Sequence, residues 1–284
     1  MLKIFIPSWR RSDCMMTPKL LDECGVRNYK VIVREYEYSE YAKTTRRKNL
    51  VVIGDEDGVN VAREAARGYL KKGEWCLQLD DNVRGFIMPK LKFYKNNSEI
   101  KLKPGENMAT RAAWQSTLSV RVSFSEFYKH IVEDSIEEAE ERDSFIVGFS
   151  NHENPAFRAK KFSDVGYVCG KVQAIKNQKL AWNQSNESAC EDYALTAAHL
   201  FVNGRVLINK WGHPLRTHYQ KGGNGPYEER LPAMLRAQGE LIERFDGLFA
   251  VKKSKTREGE LRLRFYSMEQ VEKWRASFKD SPVW

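Results

Sequence analysis

Residues 74–83 read EWCLQLDDNV, from Glu74 to Val83. Trp75, Cys76, Leu77 and Leu79 make a short, largely apolar run of strand length, the pattern of a central strand buried in a sheet. The run stops abruptly at Asp80, Asp81 and Asn82. In an open α/β sheet, ligands sit beyond the carboxyl ends of the strands, so paired carboxylates at a strand end mark the place for a bound cation. Oxygen-only donors favour Mg²⁺ or Mn²⁺ over zinc, and such ions bridge protein carboxylates to substrate phosphates. A polar turn explains the dipeptide alone equally well. The surrounding sequence has to decide.

Upstream, Leu2–Ile6, Tyr29–Arg34 and Leu50–Ile53 read as strands. Thr17-Pro18 opens a helix that ends near Gly25, with Thr17 as N-cap and Pro18 in the first helical position. Tyr36–Thr44 reads as a second helix. Gly58–Lys72 reads as a third, with Val61, Ala65 and Ala66 on one face and Gly73 ending it. Four strands alternating with three helices predict a parallel, doubly wound sheet, with its ligand edge where Ser8–Arg11 and Asp80–Asn82 meet.

Downstream, residues 84–104 interleave Lys92, Lys95 and Lys101 with Phe93 and Tyr94 and can turn as a hairpin at Asn96-Asn97-Ser98. Cations neutralise phosphates and aromatic faces stack on bases, so this mixture suits a nucleic acid; a solvated basic hairpin explains it as well. Phe124–Arg142 predicts an amphipathic helix with Ser125 as N-cap, and Phe145–Phe149 the next strand. In Glu187–Asn203, Glu191 and Asp192 open a helix, where the dipole favours anions. A strand at Arg205–Asn209 leads into a glycine-rich, histidine-bearing loop, 211–225. A helix (Glu228–Glu243), two short strands and a last helix (Met268–Phe278) follow. Residues 252–264 hold six Lys/Arg, Lys252 and Lys253 among them, against two acids.

The 284 residues, 42% of them hydrophobic, suffice for a sizeable core, which excludes a disordered chain. A net charge of +9 favours a polyanionic partner or an anionic substrate. Five cysteines without a CxxC pair suggest neither a disulfide framework nor zinc, and fit a reducing cytoplasm. No apolar run approaches a spanning helix, so a membrane is not an expected partner.

The succession of a strand with PSWRR, a helix opening on Gly58-Val59-Asn60-Val61-Ala62-Arg63 and a strand ending in LDDN resembles the nucleotide-sugar half of a GT-A glycosyltransferase. CEDYAL, about a hundred residues on, is similar to the acid-Asp motif that opens the acceptor-side helix of inverting members. With IFIPSWRR and THYQKGGNG added, the chain resembles, over roughly residues 2–225, the TET-associated and related phage glycosyltransferases.

The resemblance implies a Rossmann-like, mostly parallel central sheet flanked by helices. It implies a nucleotide-sugar half (1–83), an acceptor half (84–225) and a small α+β C-terminal extension (226–284). It also implies a UDP-linked sugar as donor, Mn²⁺ or Mg²⁺ as cofactor, and a hydroxymethylated pyrimidine in DNA as acceptor, in the cytoplasm of a phage-infected bacterium. Asp81 and His218 would ligate the metal. Pro7, Ser8, Arg10, Arg63, Asp80 and Lys221 would bind the nucleotide sugar. Asp192, beside Glu191, would be the general base. The basic segments, with Lys92, Phe93, Tyr94, Lys95, Lys101, Lys252 and Lys253, would grip DNA. Three alternatives remain: a polysaccharide or other non-DNA acceptor, a nucleic-acid-binding protein on an inactive transferase scaffold, and a nucleotidyl- or phosphotransferase. The last is expected to carry an early glycine-rich phosphate loop, which Pro7–Ser12 lacks.

Overall fold

The computed structural model describes residues 1–55, 58–89, 119–151, 160–178, 189–217, 227–252 and 260–278. The first quarter of the chain alternates strand and helix: β1 (Lys3–Pro7), α1 (Thr17–Glu23), β2 (Tyr29–Arg34), α2 (Tyr38–Thr44), β3 (Leu50–Ile53), α3 (Val59–Arg67) and β4 (Trp75–Leu79). β1 to β4 are mutually parallel, as the alternation requires. Four later strands complete an eight-stranded sheet: β7 (Ile146–Phe149), β8 (Phe162–Ser163), β9 (Val172–Lys176) and β10 (Leu207–Asn209). The order is β3-β2-β1-β4-β9-β7-β10-β8. β9 runs antiparallel to both β4 and β7, and β8 antiparallel to β10, so the sheet is mixed. A smaller sheet, β11-β5-β6, joins β5 (Val83–Pro89), β6 (Ser119–Val122) and β11 (His213–Arg216).

The strands of the large sheet bury both faces. Ile4, Ile6, Val31, Val33, Leu77 and Leu79 join one core with Leu21 of α1, Tyr41 of α2 and Phe124, Phe127 and Ile131 from the helical stretch after β6. The alternate residues Phe5, Ile32 and Cys76 join a second core with Ala62 and Ala66 of α3. A period of two within strands apolar throughout is what a sheet covered on both sides demands. The second core also takes Leu195 and Leu200 of α6 (Glu191–Val202), Leu241 of α7 (Tyr227–Arg244) and Phe245 just after it. The hairpin β12 (Phe249–Val251) and β13 (Leu261–Leu263) and the last helix α8 (Met268–Ala276) close it, with Trp274 edge-on to Phe201. The C-terminal segment thus packs directly on the site-bearing helix α6.

Three local expectations are corrected. Thr17 does not cap α1; Met16 precedes the helix without a side-chain cap. The Thr17 hydroxyl instead donates to the Asp80 carbonyl (2.5 Å) and accepts from the Val83 N–H (3.0 Å), tying α1 to the acidic turn. Ser123, not Ser125, caps the helix after β6, in a capping box with Glu126. That helix is not uniform: α4 (Phe124–Phe127) passes through a π-helical segment, Tyr128–Val132, into α5 (Glu133–Glu141). Helix α3 ends at Arg67 rather than at Lys72.

Candidate functional site

The chain runs outward from β1 to β2 and β3 and then returns to β4 on the other side of β1. The connections after β1 and β4 therefore diverge, and a crevice opens at their carboxyl ends, where doubly wound sheets bind ligands. Pro7-Ser8 and Asp80-Asp81 lie there. The Ser8 hydroxyl donates to Asp81 Oδ2 (2.7 Å) and shares a hydrogen bond with the Tyr41 hydroxyl (2.7 Å). Arg11 Nη1 takes the other oxygen, Oδ1, at 2.6 Å. Asp81 is only 4% exposed. Burial pushes its carboxyl up, against the pull of Arg11 and Ser8. Its backbone carbonyl accepts from Met16 and Thr17 N–H (2.9 and 3.0 Å). Asp81 is therefore an inward-turned anchor that joins the β1 loop, α1 and the β4 turn.

Asp80 faces the other way. Its N–H donates to the Lys171 carbonyl just before β9 (2.8 Å), and its Oδ1 receives Arg63 Nη2 at 3.0 Å. Arg216, at the end of β11, stands 3.5 Å from Oδ2. Arg63, 6% exposed, is the hub: it also donates to the Gly170 carbonyl (2.8 Å) and reaches Glu191 at 3.5 Å. Beneath it, Gln173 Nε2 donates to Gln78 Oε1 (2.9 Å), and Gln78 Nε2 donates to the Arg63 carbonyl (3.1 Å). Burial alone would lower the guanidinium's pKa, but Asp80 and Glu191 carry it upward. Glu191 is pushed up to about 8 by burial and by Asp192 and Asp80, against Arg63.

Asp192 is oriented by three donors. The Tyr167 hydroxyl and the Gly170 N–H (3.3 Å) reach Oδ2, and the Tyr193 N–H reaches Oδ1 (3.0 Å). Tyr167 stacks on Tyr193 with centroids 4.1 Å apart. Burial, then Asp192, raise the Tyr167 pKa well above its ordinary value, so its hydroxyl keeps the proton it donates. The strand end LDDN and the helix start CED, over a hundred residues apart in sequence, thus meet through one arginine.

On the β2 side, Arg10 takes a positive φ of 55° and its N–H donates to Glu37 Oε1 (2.6 Å). Its guanidinium lies 4.4 Å from the Trp9 ring centroid, and Trp9 Nε1 donates to the Tyr36 hydroxyl (2.7 Å). Buried Arg34 donates to the Gly58 carbonyl (2.6 Å), while its Nε and Nη1 have no hydrogen-bond partner among the described residues. Pro7 ends β1 in register with Ile32 of β2.

Sequence reasoning missed Arg11, Arg216, Tyr167, Gln78, Gln173 and Glu37. Gln78 alone left a signal: it is the one polar residue inside the apolar run of β4, and a buried amide needs partners. Lys92, Phe93, Tyr94, Lys95, Lys101, His218, Lys221 and Lys253 lie outside the described residues. His213, in the stretch 211–225 expected as a loop, begins β11 and is buried with its Nδ1–H on the Ser150 carbonyl (2.8 Å). Lys252 is exposed and pairs with Glu260 at 2.9 Å.

Asp81 does not fit as a metal ligand, because its carboxylate is turned inward onto Ser8 and Arg11 with a side chain 5% exposed, against 22% for Asp80. Asp80 and Glu191 fit better: both are oxygen donors, and after burial it is the repulsion from Asp192 and Asp80, which a cation relieves, that raises Glu191. Among the described residues no group of three or more His, Cys, Asp or Glu converges to hold a metal ion; Mg²⁺ commonly uses one or two carboxylates and completes its shell with substrate phosphates and water.

No known family model matches the sequence, and no curated protein is similar to it. Among the described residues no helix is long and apolar enough to cross a membrane.

Proposed function

We propose that the chain is a metal-dependent GT-A glycosyltransferase that moves a sugar from a UDP-linked donor to a hydroxymethylated pyrimidine in DNA, with inversion. One observation carries the reading: Arg63 joins Asp80, at the switch point of the sheet, to Glu191 and Asp192 at the start of α6. A donor-binding strand end and an acceptor-side helix start must lie together for group transfer, and these do.

In this reading the crevice after β1 and β2 takes the nucleoside, with Ser8, Arg10 and Glu37 around it. Asp80, assisted by Glu191, takes the metal role expected at Asp81. Mn²⁺ or Mg²⁺ held there would supply charge neutralisation for the departing diphosphate. Arg63, bridging Asp80 and Glu191, and Arg216 offset the repulsion among the carboxylates and add positive potential on the leaving-group side. Asp192 accepts the proton of the acceptor hydroxyl as its oxygen attacks the anomeric carbon and the bond to the diphosphate breaks. Tyr167 and the Gly170 N–H hold Oδ2, so the proton goes to Oδ1, which keeps a lone pair beside the bond it accepts from the Tyr193 N–H. The net charge of +9 supports a polyanionic acceptor.

The test is mass spectrometry of nucleosides from hydroxymethylated DNA after incubation with the protein, Mn²⁺ and a panel of nucleotide sugars. A hexose or pentose adduct on the modified base is expected. Transfer to a saccharide in place of DNA would remove the DNA acceptor, and consumption of none of the nucleotide sugars would remove glycosyl transfer.

A further inference from the structure

The two edges of the large sheet differ in charge balance. The carboxyl edge pairs its acids Asp80, Asp81 and Glu191 with Arg11, Arg63 and Arg216. At the amino edge, around the starts of β2 and β3, the exposed side chains are cationic: Arg27, Arg46, Arg47 and Lys48, with half-buried Lys30 between them. The cluster is contiguous. Lys30 Nζ donates to the Lys48 carbonyl (2.6 Å), and Asp22 is shared by Arg27 (2.8 Å) and Arg46 (3.9 Å). Asp22 and exposed Glu23 are the neighbouring acids, and Arg47 and Lys48 have no ion-pair partner among the described residues. Backbone geometry fixes the clustering, since Val31↔Leu50 register sets residues 27–30 beside 46–49. Five like charges held together against two acids repel one another and gain most from a polyanion.

We propose that this amino-edge patch is a sequence-independent docking surface for the phosphate backbone of double-stranded nucleic acid, separate from the reaction site. β2 has six residues; at about 3.3 Å of rise each, the patch lies roughly 20 Å from the carboxyl edge. A backbone held here is therefore not the strand under reaction at Asp192. Two features select the partner. No large apolar side chain is exposed within residues 19–30 or 43–50, so nothing there enters a lipid interface. No aromatic ring is exposed there either, so the patch offers no stacking platform for single-stranded bases.

The test uses the full chain, an unmodified duplex of about 30 base pairs, and neither nucleotide sugar nor divalent cation, so it is independent of glycosyl transfer. With about four phosphates neutralised, the log–log salt slope is roughly −3.6, an affinity loss of about a hundredfold between 50 and 200 mM salt. Arg46→Gln/Arg47→Gln/Lys48→Gln should bring the slope near −1 and the loss to about fourfold. These side chains are exposed, and an unchanged melting temperature will show that the fold is kept. Lys129→Gln/Lys160→Gln/Lys273→Gln removes equal charge elsewhere, at exposed positions, and should leave the slope unchanged. Equal flattening by the two triples would reduce the effect to net charge and overturn the patch. So would an unchanged slope in the first triple. Dependence on the three residues for anionic vesicles, but not for duplex, would overturn the partner.

Discussion

Replacing Arg63 by Met tests the hub directly. Arg63 is 6% exposed, and Met retains most of the apolar stem while deleting the charge. Four partners then lose a donor: Asp80 (3.0 Å), the Gly170 carbonyl (2.8 Å), Glu191 (3.5 Å) and Gln78 Oε1 (3.4 Å). Breaking a buried ion pair from one side costs about 3–5 kcal/mol. Two features reduce the figure here. Asp80 retains Arg216 at 3.5 Å, and Glu191, whose pKa is already about 8, stays protonated at neutral pH and then needs no cation. The expected loss is about 2–4 kcal/mol near pH 7, read by urea denaturation. It should grow towards about pH 9, where the uncompensated Glu191 would have to ionise. Arg63→Met/Glu191→Gln should recover about 1 kcal/mol or more at the higher pH, as a double-mutant cycle. A loss below about 1 kcal/mol at both pH values, with nucleotide-sugar binding intact by calorimetry, would refute the argument that this arginine holds the two acidic stretches together.

Asp192→Asn preserves size and removes proton acceptance, so transfer should fall by roughly 10²–10⁴ with donor affinity little changed; near-normal turnover would make Asp192 only a helix-start acid. Gly170→Ala sets a Cβ 2.6 Å from Arg63 Nη2, so the guanidinium must move, and transfer should drop sharply while the melting temperature changes modestly. Glu191 has a folded pKa of about 8 against an ordinary 4.5, so the fold retains a proton that the unfolded chain releases. The associated stability is complete below the ordinary value and lost as pH rises to the folded one. Melts of the ligand-free protein should therefore lose up to about 1.4 kcal/mol per pH unit across that window, and Glu191→Gln should flatten the trend.

The sequence by itself determined the alternation of β1 to β4 with α1 to α3. Short apolar runs ending in turn residues, and a helical period over 58–72, are local patterns that fix local structure; the face that α3 buries is Asn60, Ala62, Arg63 and Ala66, so of the expected Val61, Ala65 and Ala66 only Ala66 is fully inside. It also determined the two acidic stretches, because charges at a strand end and at a helix start stand out in an otherwise apolar context. Caps were less legible: Ser123 and Ser125 are both good cap residues, and Glu126 three positions after Ser123 decides between them only once the helix start is known. Only the tertiary structure decided which aspartate does what. Asp80 and Asp81 are adjacent and chemically identical, yet successive side chains leave the strand end in opposite directions, one towards Ser8 and Arg11, the other towards Arg63. The antiparallel insertion of β9 between β4 and β7 was equally illegible, since strand direction is set by long-range pairing. That insertion brings Gly170 and Lys171 beside Asp80 and Arg63, and so brings α6, with Glu191 and Asp192, to the crevice. Arg63 reads in sequence as one more arginine on a polar helix face; its burial between two acidic stretches comes from the packing of α3 over β1 and β2, which sets the residue against Gln78 of β4 and Glu191 of α6.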